Sequence, residues 1–545
     1  MTEDHSSLVE THTAVLDDAH VGDIHGALGT IRVGDTARRH TWRQRLLTLL
    51  AIMGPGLIVM VGDNDAGGVA TYAQAGQDYG YSLLWTLVLL IPVLIVNQEM
   101  VVRLGAVTGV GHARLINERF GRFWGLFSVG DLFILNFLTI VTEFIGVSLS
   151  AAYFGVSPYL AVPLAAVVLV GITVTGNFRR WERAMFVFLV CNLLIVPLAL
   201  LSHPDPGSIA RGLVVPGIEG GISSDAILLI IAIVGTTVAP WQLFFQQSNV
   251  IDKRITPRWM AYERADTAIG AGVVVVGAAA IMMATAAAFG GTPDSGHFSD
   301  GLASAVGMAR ERGSLLGSVF ALLLLDASII GACAVTLSTS YAFGDVFGLR
   351  HSLHRTFNEA RVFYGSYSGL VVLAAAIVLI PNAPLGLITT AVQALAGVLL
   401  PSATVFLVLL CNDRDVLGPW VNPTWLNAVA TVIVSALLEL SLVLVVTTLL
   451  PDVDVGALTL GLSVVMVAAL AVGGVWLWRT QRTAPRVVTM HARDRESWRM
   501  PPLALLNRPE WSPTRKLAIL ALRVYLVVAV ALLVVKAFQL ALGAR

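Results

Sequence analysis

Cysteine and charged side chains are both scarce in this chain of 545 residues. The 3 cysteines, Cys191, Cys333 and Cys411, lie far apart in or beside apolar segments. Without a close pair, the sequence holds no Cys-x-x-Cys site and predicts no disulfide. Charged residues make up 13% of the chain and the formal net charge is zero, whereas soluble domains carry about 25% charged residues. The composition therefore indicates a membrane protein and gives no reason to expect nucleic acid as a partner.

Other absences narrow the function. Residues 1–42 begin with acidic side chains and lack the apolar core of a signal peptide. Their polarity predicts a disordered cytoplasmic tail. The chain also has no His-Glu-x-x-His motif, no nucleotide-binding loop and no nucleophile elbow. We therefore expect neither an enzyme nor a bound cofactor.

Long apolar runs dominate the rest of the chain, which is 56% hydrophobic with a mean hydropathy of +0.77. Each run is long enough to cross a bilayer as a helix. With an interrupted run near the N-terminus, they predict about thirteen spans in an all-α polytopic membrane protein. The later runs lie approximately at 81–102, 123–153, 158–176, 184–202, 224–251, 266–289, 315–346, 363–381, 386–411, 425–450, 456–478 and 517–542.

Basic residues are concentrated in every second connection between these runs. The other connections are mostly acidic or neutral, although one of them contains Arg310 and Arg312. The positive-inside rule then places the N-terminus in the cytoplasm, and an odd number of spans places the C-terminus outside. The basic segments lie at 38–45, 114–122, 179–183, 253–264, 350–361 and 479–516, the last predicted as a cytoplasmic loop facing anionic lipid.

The stretch Gly62-Asp63-Asn64-Asp65-Ala66-Gly67-Gly68 interrupts the first apolar run, which covers 46–60 on one side and 69–75 on the other. An intact helix would place two carboxylates in hydrocarbon, which is costly. Backbone leaves the helix at membrane depth only where protein buries it or it lines a wet cavity. We therefore predict that helix 1 is two half-helices with a cation site at Asp63 and Asp65. The alternative, an extracellular loop, leaves each flank too short to span alone.

A second interruption lies in the sixth predicted span, helix 6, over 224–251, at Thr236-Thr237-Val238-Ala239-Pro240-Trp241-Gln242. Proline removes a backbone donor and clashes with the preceding turn. A plain proline kink is one interpretation. The other takes the two breaks together, because breaks five helices apart at corresponding positions indicate an inverted-repeat transporter. Such a transporter binds its substrate between the broken helices, near the membrane midplane.

Two more polar side chains lie within predicted helices. Glu143, in helix 3, is either a relay carboxyl or a protonated core residue held by hydrogen bonds. Gln393, in helix 10, can ligate a cation or orient a bound water, whereas most buried glutamines only bridge helices. The sequence leaves both alternatives open.

Several motifs resemble the natural resistance-associated macrophage protein (NRAMP) family. They are the stretch from Gly54-Pro55-Gly56 to Tyr81, then Arg103-Leu104-Gly105 and Val107-Thr108-Gly109. The resemblance covers helix 1 through about helix 10. It implies a divalent transition-metal transporter with a leucine-transporter-type fold of five plus five inverted helices, here over 43–412. About three additional helices would then occupy 413–545.

The same motifs also depart from the family. Its helix 1 motif, Asp-Pro-Gly-Asn, reads Asp65-Ala66-Gly67-Gly68, so the metal-binding aspartate remains and the liganding asparagine is Gly68. Its helix 6 motif, Met-Pro-His, reads Ala239-Pro240-Trp241, which removes the thioether and the proton-linked histidine. In helix 3 the proton-accepting aspartate is Ile140, three residues before Glu143. These replacements resemble the NRAMP-related magnesium transporters, and Gln393 matches a helix 10 glutamine that approaches the ion.

Metal chemistry favours the same branch. Thioether ligands suit soft metals, so Ala239 removes a reason to prefer them. Mg²⁺ prefers octahedral oxygen at about 2.0–2.1 Å and keeps several waters, which suits a site enlarged by Gly68 and Ala239. The expected ligands of this partly hydrated ion are Asp65, Asp63, backbone carbonyls near Thr236 and Gln393. Thr237 and Gln242 are expected to contact only its water.

Our interpretation is an alternating-access importer of Mg²⁺ and Mn²⁺ in the plasma membrane, without proton coupling. A divalent ion moving inward across 100 mV gains about 4.6 kcal/mol, enough for roughly a thousandfold accumulation. One alternative is a proton-coupled Mn²⁺/Fe²⁺ importer that uses Glu143. Another is an amino-acid/cation symporter on the same fold, although two aspartates in the break would repel a substrate carboxylate.

Overall fold

The computed structural model describes residues 14–381, 385–450, 453–481 and 492–507, together with 516, 519–522, 524–525 and 527. The described chain is almost entirely helical, which confirms the predicted class. The helices of its first half are α1 (Trp42–Ile52), α2 (Pro55–Gly62), α3 (Ala66–Tyr79), α4 (Leu84–Thr108), α5 (His112–Phe120), α6 (Arg122–Tyr153), α7 (Pro158–Thr173), α8 (Phe178–Cys191), α9 (Ile195–Ser202), α10 (Pro206–Val214) and α11 (Ser224–Thr237). Those of its second half are α12 (Pro240–Asp252), α13 (Met260–Phe289), α14 (Gly301–Arg312), α15 (Ser314–Phe347), α16 (Arg361–Val378), α17 (Leu385–Cys411), α18 (Arg414–Leu417), α19 (Thr424–Leu449), α20 (Val455–Gln481) and α21 (Ala492–Ser497).

Ten helical segments of the described chain are long and apolar enough to cross a membrane, and the bent pair α1–α2 raises the number to eleven. The sequence predicts about thirteen spans. One of the predicted spans, α7, is an apolar helix of 16 residues. Another, over 517–542, lies largely outside the described residues. Every other predicted run coincides with a helical segment, and α19 and α20 are two of the expected C-terminal additions.

Both predicted breaks are present. Residues 63–65 separate α2 from α3, and residues 238–239 separate α11 from α12. Helix α13 packs along α2, α3 and α4, while α15 packs along α6 and α17 packs along α11. The broken helices therefore lie in the interior of the bundle, where protein covers their irregular backbone.

The N-terminal half of helix 1 is shorter than predicted. The apolar run over 46–60 does not form one segment, because α1 and α2 are bent by 54° at Met53 and Gly54. Gly54 has a φ of +156°, which other residues rarely adopt, and Pro55 disfavours helical backbone in the residue before it. Only the eight residues Pro55–Gly62 lead from this bend to the break at residue 63.

The prediction of a disordered tail over 1–42 is wrong for the part that the structure describes, which begins at residue 14. A 3₁₀ turn at Asp18–His20 is followed by an antiparallel hairpin, β1 (Ile24–Gly26) and β2 (Gly29–Ile31). Ile24 and Ile31 form a cross-strand pair and both are buried. A few well-spaced apolar side chains therefore hold this polar segment on the helical bundle.

Candidate functional site

The helix 1 break ends one helix and begins the next. Asp63 still has helical backbone, whereas Asp65 is extended, with φ −68° and ψ −178°. The Oδ1 atom of Asp65 accepts a hydrogen bond from the Gly68 amide at 2.7 Å. Aspartate is a preferred residue at this capping position because it satisfies an amide that the helix leaves free. The same carboxylate that the sequence predicts as a metal ligand therefore also starts α3.

The helix 6 break follows from Pro240. Val238 leaves the helix with φ −131° and ψ 58°, and Ala239 has extended backbone with ψ 144°. Pro240 is the first residue of α12, a position where its missing amide costs nothing. Thr236 and Thr237 end α11 at this point, so the break turns both threonines toward the centre of the bundle with Ala239, which is 5% exposed.

Oxygen atoms from both breaks converge on Gly68. A Cβ atom at Gly68 would lie 2.7 Å from the Asp63 carbonyl, 3.0 Å from the Thr236 hydroxyl and 3.4 Å from Oδ1 of Asp65. A side chain at this position would therefore push directly against the three oxygens. The glycine allows a carboxylate, a carbonyl and a hydroxyl to approach one another, and these are the donor types that hard divalent cations prefer.

The two aspartates contribute different groups. The carbonyl of Asp63 faces Gly68, but its side-chain Oδ1 accepts a hydrogen bond from Nε2 of Gln242. Gln242 is held in turn by Gln98, whose Nε2 donates to its Oε1 at 2.6 Å. The sequence predicts Gln242 as a water-mediated contact, and in the structure it is bound to the Asp63 carboxylate. Gln98, in α4, was missed by sequence reasoning.

Gln393 approaches the helix 1 break from α17. A Cβ atom at Gly67 would collide with Nε2 of Gln393, so the side-chain amide packs directly on the glycine beside Gly68. Gln393 is 2% exposed. The structure thus brings this predicted residue to the same junction, and Gly67 is needed for its close approach.

Thr237 has partners of its own. Its hydroxyl donates to the Ile233 carbonyl at 2.6 Å and lies 2.7 Å from the hydroxyl of Tyr72. Tyr72, in α3, is fully buried and joins α3 to α11 through this contact. It was missed in the sequence, although it lies seven residues after Asp65 and therefore two turns along the same helix face.

Glu143 lies beside Asp65. Its Oε2 accepts a hydrogen bond from the Ala66 amide at 3.0 Å, and its carboxyl group interacts directly with that of Asp65. Gly331, in α15, covers the pair, because a Cβ there would lie 2.6 Å from Oε2 of Glu143 and 2.7 Å from Cβ of Asp65. This geometry is compatible with both interpretations of Glu143, as a relay carboxyl and as a hydrogen-bonded core residue.

Several polar atoms at this junction are buried without a hydrogen-bond partner among the described residues. They are Oδ2 of Asp63, Oγ1 of Thr236 and Nε2 of Gln393. Leaving such a group unpaired costs about 1–3 kcal/mol, and a cluster of them marks a place for water or an ion. Across the described ranges, no group of three or more His, Cys, Asp or Glu side chains is arranged to hold a metal. The donors here are instead mixed: carboxylate, carbonyl, hydroxyl and amide.

Comparisons with known proteins agree with this arrangement. A family model described as natural resistance-associated macrophage protein-like matches residues 56–447. Among curated relatives, "Divalent metal cation transporter MntH" of Levilactobacillus brevis is 27% identical over 442 residues, which are 77% of this chain and 93% of that protein. "Divalent metal cation transporter MntH 1" of Pseudomonas aeruginosa is 29% identical over 402 residues, 71% of this chain and 89% of that protein.

Two solved structures share the fold. The Eremococcus coleocola manganese transporter aligns with a TM-score of 0.61 and 21% identity, covering 82% of this chain and 98% of that one. MhsT in complex with L-phenylalanine aligns with a TM-score of 0.50 and 15% identity, covering 74% of this chain and all of that one. At these identities the likeness extends to the fold, which is the predicted inverted-repeat architecture.

Proposed function

The chain belongs to the natural resistance-associated macrophage protein family, and from that premise we propose that it carries divalent metal cations across the plasma membrane. Mg²⁺ is the preferred substrate in this proposal and Mn²⁺ a second one. The observation that carries it is the convergence of Asp65, the Asp63 carbonyl and Thr236 on Gly68. Alternating access then exposes this junction to each side of the membrane in turn.

The proposed preference for Mg²⁺ follows from two features: the oxygen donors that lie around Gly68, and the absence of the soft donor side chains that the family has at these positions. All three atoms around Gly68 are oxygens, and Ala239 supplies no thioether at the helix 6 break. Mg²⁺ requires oxygen ligands and retains water, whereas thioether and imidazole favour softer transition metals. The unpaired polar atoms of Thr236 and Gln393, noted above for the described chain, would bind that retained water.

Transport without proton coupling is the second part of the proposal. Ile140 and Trp241 occupy the positions where the family resemblance places titratable side chains, and both are buried and apolar. The membrane potential alone supplies about 4.6 kcal/mol for a divalent cation at 100 mV. Uptake of an abundant ion therefore requires no second driving force.

A proton-coupled Mn²⁺/Fe²⁺ importer is the second candidate, and one observation favours it. The carboxyl groups of Glu143 and Asp65 interact directly, and such a contact requires a proton shared between them. A cation binding at Asp65 would displace that proton. Among the relatives and structures compared, the names also include manganese and divalent-metal transporters.

The proposed orientation places the N-terminus of the chain and the C-terminal ends of α4, α12 and α15 on the cytoplasmic side. The basic segments at 114–122, 253–264 and 350–361 all lie at that end, as the positive-inside rule requires. The C-terminus, after an odd number of spans, would lie on the opposite side.

Uptake into proteoliposomes that contain a pH dye tests the proposal. We expect Mg²⁺ and Mn²⁺ to enter faster than Ca²⁺, in proportion to an imposed negative-inside voltage and with constant luminal pH. The matched control is Asp65→Ala, which removes the proposed ligand. Luminal acidification that accompanies metal entry and disappears in Asp65→Ala would favour the proton-coupled candidate, and Glu143→Gln should then abolish it.

A further inference from the structure

We propose that residues 14–31, which we call the N-terminal latch, hold the cytoplasmic end of the transporter closed and release it when the substrate leaves. The latch comprises the 3₁₀ turn at Asp18–His20 and the hairpin of β1 and β2, which polar composition alone predicts as part of a disordered tail. The inference goes beyond the proposed function, because it is independent of which metal is carried.

On one side, the latch is bonded to the elements that carry the breaks. The Arg254 side chain, just after α12, donates from Nε to the Ala19 carbonyl at 2.9 Å and from Nη1 to the Asp23 carbonyl at 3.2 Å. Nε2 of His20 lies 3.6 Å from a carboxylate oxygen of Asp252, the last residue of α12. The hairpin covers α1, since a Cβ on Gly29 would lie 2.8 Å from Cβ of Ala51.

On the other side, the latch is bonded to different helices. Arg355, in the connection between α15 and α16, donates to Asp17 at 2.5 and 3.0 Å and also contacts Asp18. Glu182, in α8, accepts a hydrogen bond from the Ala27 amide, and the neighbouring Arg183 donates to the Ala27 carbonyl at 3.3 Å. The segment thus bridges α1 and α12 to α8 and the α15–α16 connection.

Movement between these two groups of helices is what alternating access requires. Transporters of this architecture open by rocking or gating one set of helices against the other around a fixed site. A segment bonded to both sets resists that separation, so one set of its bonds must break before the cytoplasmic end opens. The latch also forms a wall of a cavity of about 1140 Å³ whose other walls include Gly111, Ser248 and Asp345. In our proposal this cavity is the cytoplasmic vestibule, and the latch closes it.

The contact between Asp17 and Arg355 is a charge-assisted part of the bridge. Asp17 is 8% exposed and Arg355 is partly buried. Burial raises the pKa of Asp17, but hydrogen bonds from Arg355 and from the Ala19 amide outweigh it and hold that pKa well below its usual range. Charge-assisted bonds of this kind are roughly twice as strong as neutral ones. Removing one partner should therefore loosen the latch without touching the substrate site.

A thiol placed under the hairpin reports release. Ala51→Cys in a Cys191→Ser background puts a small side chain where Ala51 is 3% exposed, and a membrane-impermeant maleimide is applied to inside-out vesicles. Cys333 and Cys411, both buried, label only if the protein unfolds and so serve as internal controls. We expect Arg355→Gln and Asp17→Asn to label at the introduced thiol about tenfold faster than the parent, as loss of a charged hydrogen bond predicts.

Matched variants complete the test. Asp23→Asn changes a side chain of the latch that accepts a hydrogen bond from the nearby Val33 amide at 2.8 Å and not from another helix, so this variant should label like the parent. The charge reversal Asp17→Arg with Arg355→Asp should restore slow labelling. Release should also weaken the apparent affinity for metal on the opposite side of the membrane by about three- to tenfold, because it depopulates the state that binds there. Equal labelling in all variants, or faster labelling with unchanged affinity, would overturn the proposal. Neither result would bear on the identity of the transported metal.

Discussion

Two buried polar regions of this protein are built in opposite ways. At the helix breaks, Asp65 and Glu143 lie side by side with oxygens of Asp63 and Thr236 nearby, and no basic side chain of the described chain bonds to them. About the N-terminal end of α2, Lys253 donates to Glu182 at 2.6 Å and to the Met53 carbonyl at 2.8 Å. We call this second group the Lys253 cluster.

The Lys253 cluster holds backbone as well as charge. Oδ2 of Asp266 accepts hydrogen bonds from the amides of Gly54 at 3.0 Å and Gly56 at 2.8 Å, at the bend that begins α2. Glu263 adds a third buried carboxyl that interacts with Lys253 at longer range. The Lys253 cluster thus carries its own basic side chain and fixes a helix, whereas no basic side chain of the described residues bonds to the region at the breaks. Unpaired buried oxygens occur in both regions, on Glu263 and Asp266 as well as on Asp63. The basic partner is therefore the difference that favours a structural role for the cluster and a cation site at the breaks.

The largest effect expected from this comparison is on transport by Asp65→Ala. Uptake should fall about a hundredfold or more, since even residues behind a metal's ligands contribute 10- to 100-fold. The melting temperature in detergent should change little, because losing the Asp65 cap on α3, worth about 1 kcal/mol, is offset by removing a buried carboxylate that has no basic partner. Asp63→Asn is the matched control: it keeps an acceptor for Gln242 and should reduce uptake by only about tenfold. Uptake by Asp65→Ala at the parent rate would exclude the proposed site.

The reverse pattern is expected at Lys253. Lys253→Met leaves Glu182, Glu263 and Asp266 without their cation, and breaking a buried pair in this way costs about 3–5 kcal/mol of stability. Thermal unfolding should therefore occur at clearly lower temperature. The double variant Lys253→Met with Glu182→Gln also removes the carboxylate that is bonded to Lys253 and should recover part of the loss. A single variant as stable as the parent would contradict the structural role of this cluster.

Short-range signals in the sequence predict where the two broken helices are interrupted. The polar, glycine-rich run at residues 62–68 and Pro240 in a second apolar run predict both breaks, because helix termination depends on neighbouring residues. Gly54-Pro55 was equally visible as a signal for the bend before α2. Its meaning was missed because the surrounding run is continuously apolar.

Other features depend on residues far apart in the chain. Gln242 donates a hydrogen bond to the Asp63 carboxylate, although it lies 179 positions away in the chain. The spacing of Asp63 and Asp65 gives no sign of this distant partner and therefore predicts that both carboxylates face the ion. The latch was missed for a different reason: its average composition is polar, and its few apolar residues pack on helices that are distant in sequence. Composition describes a segment by itself, whereas these contacts are defined only by the fold.

We expect that substitutions at the proposed substrate site shift its preference toward softer metals. The double change Gly68→Asn with Ala239→Met adds an amide and a thioether and displaces the Asp63 carbonyl, which lies 2.7 Å from the new Cβ position. Mg²⁺ needs room for retained water, so the ratio of Mg²⁺ to Cd²⁺ uptake should fall about tenfold. Gly68→Ala is the steric control and should slow both ions with a smaller change in the ratio. An unchanged ratio with both ions still transported would place selectivity at other residues.

The smallest expected effect distinguishes two histidines near the latch by the sign of their pH dependence. His351 is bonded to Asp345 at 3.0 Å. Burial lowers its pKa, but that carboxylate outweighs burial and raises the pKa to about 9. A folded pKa above the unfolded value of about 6.5 stabilises the protein fully below that pH, and this contribution is lost as pH rises toward 9. His354 has the opposite shift, because burial lowers its pKa, so it destabilises the fold as pH falls.

Melting temperatures measured from pH 6 to 9 test this difference. At pH 6, His351→Gln should melt about 3 °C below the parent, and this deficit should shrink with rising pH. His354→Gln should show no such deficit at pH 6. Parallel curves for the parent and both variants would mean that neither histidine changes its protonation on folding in this range.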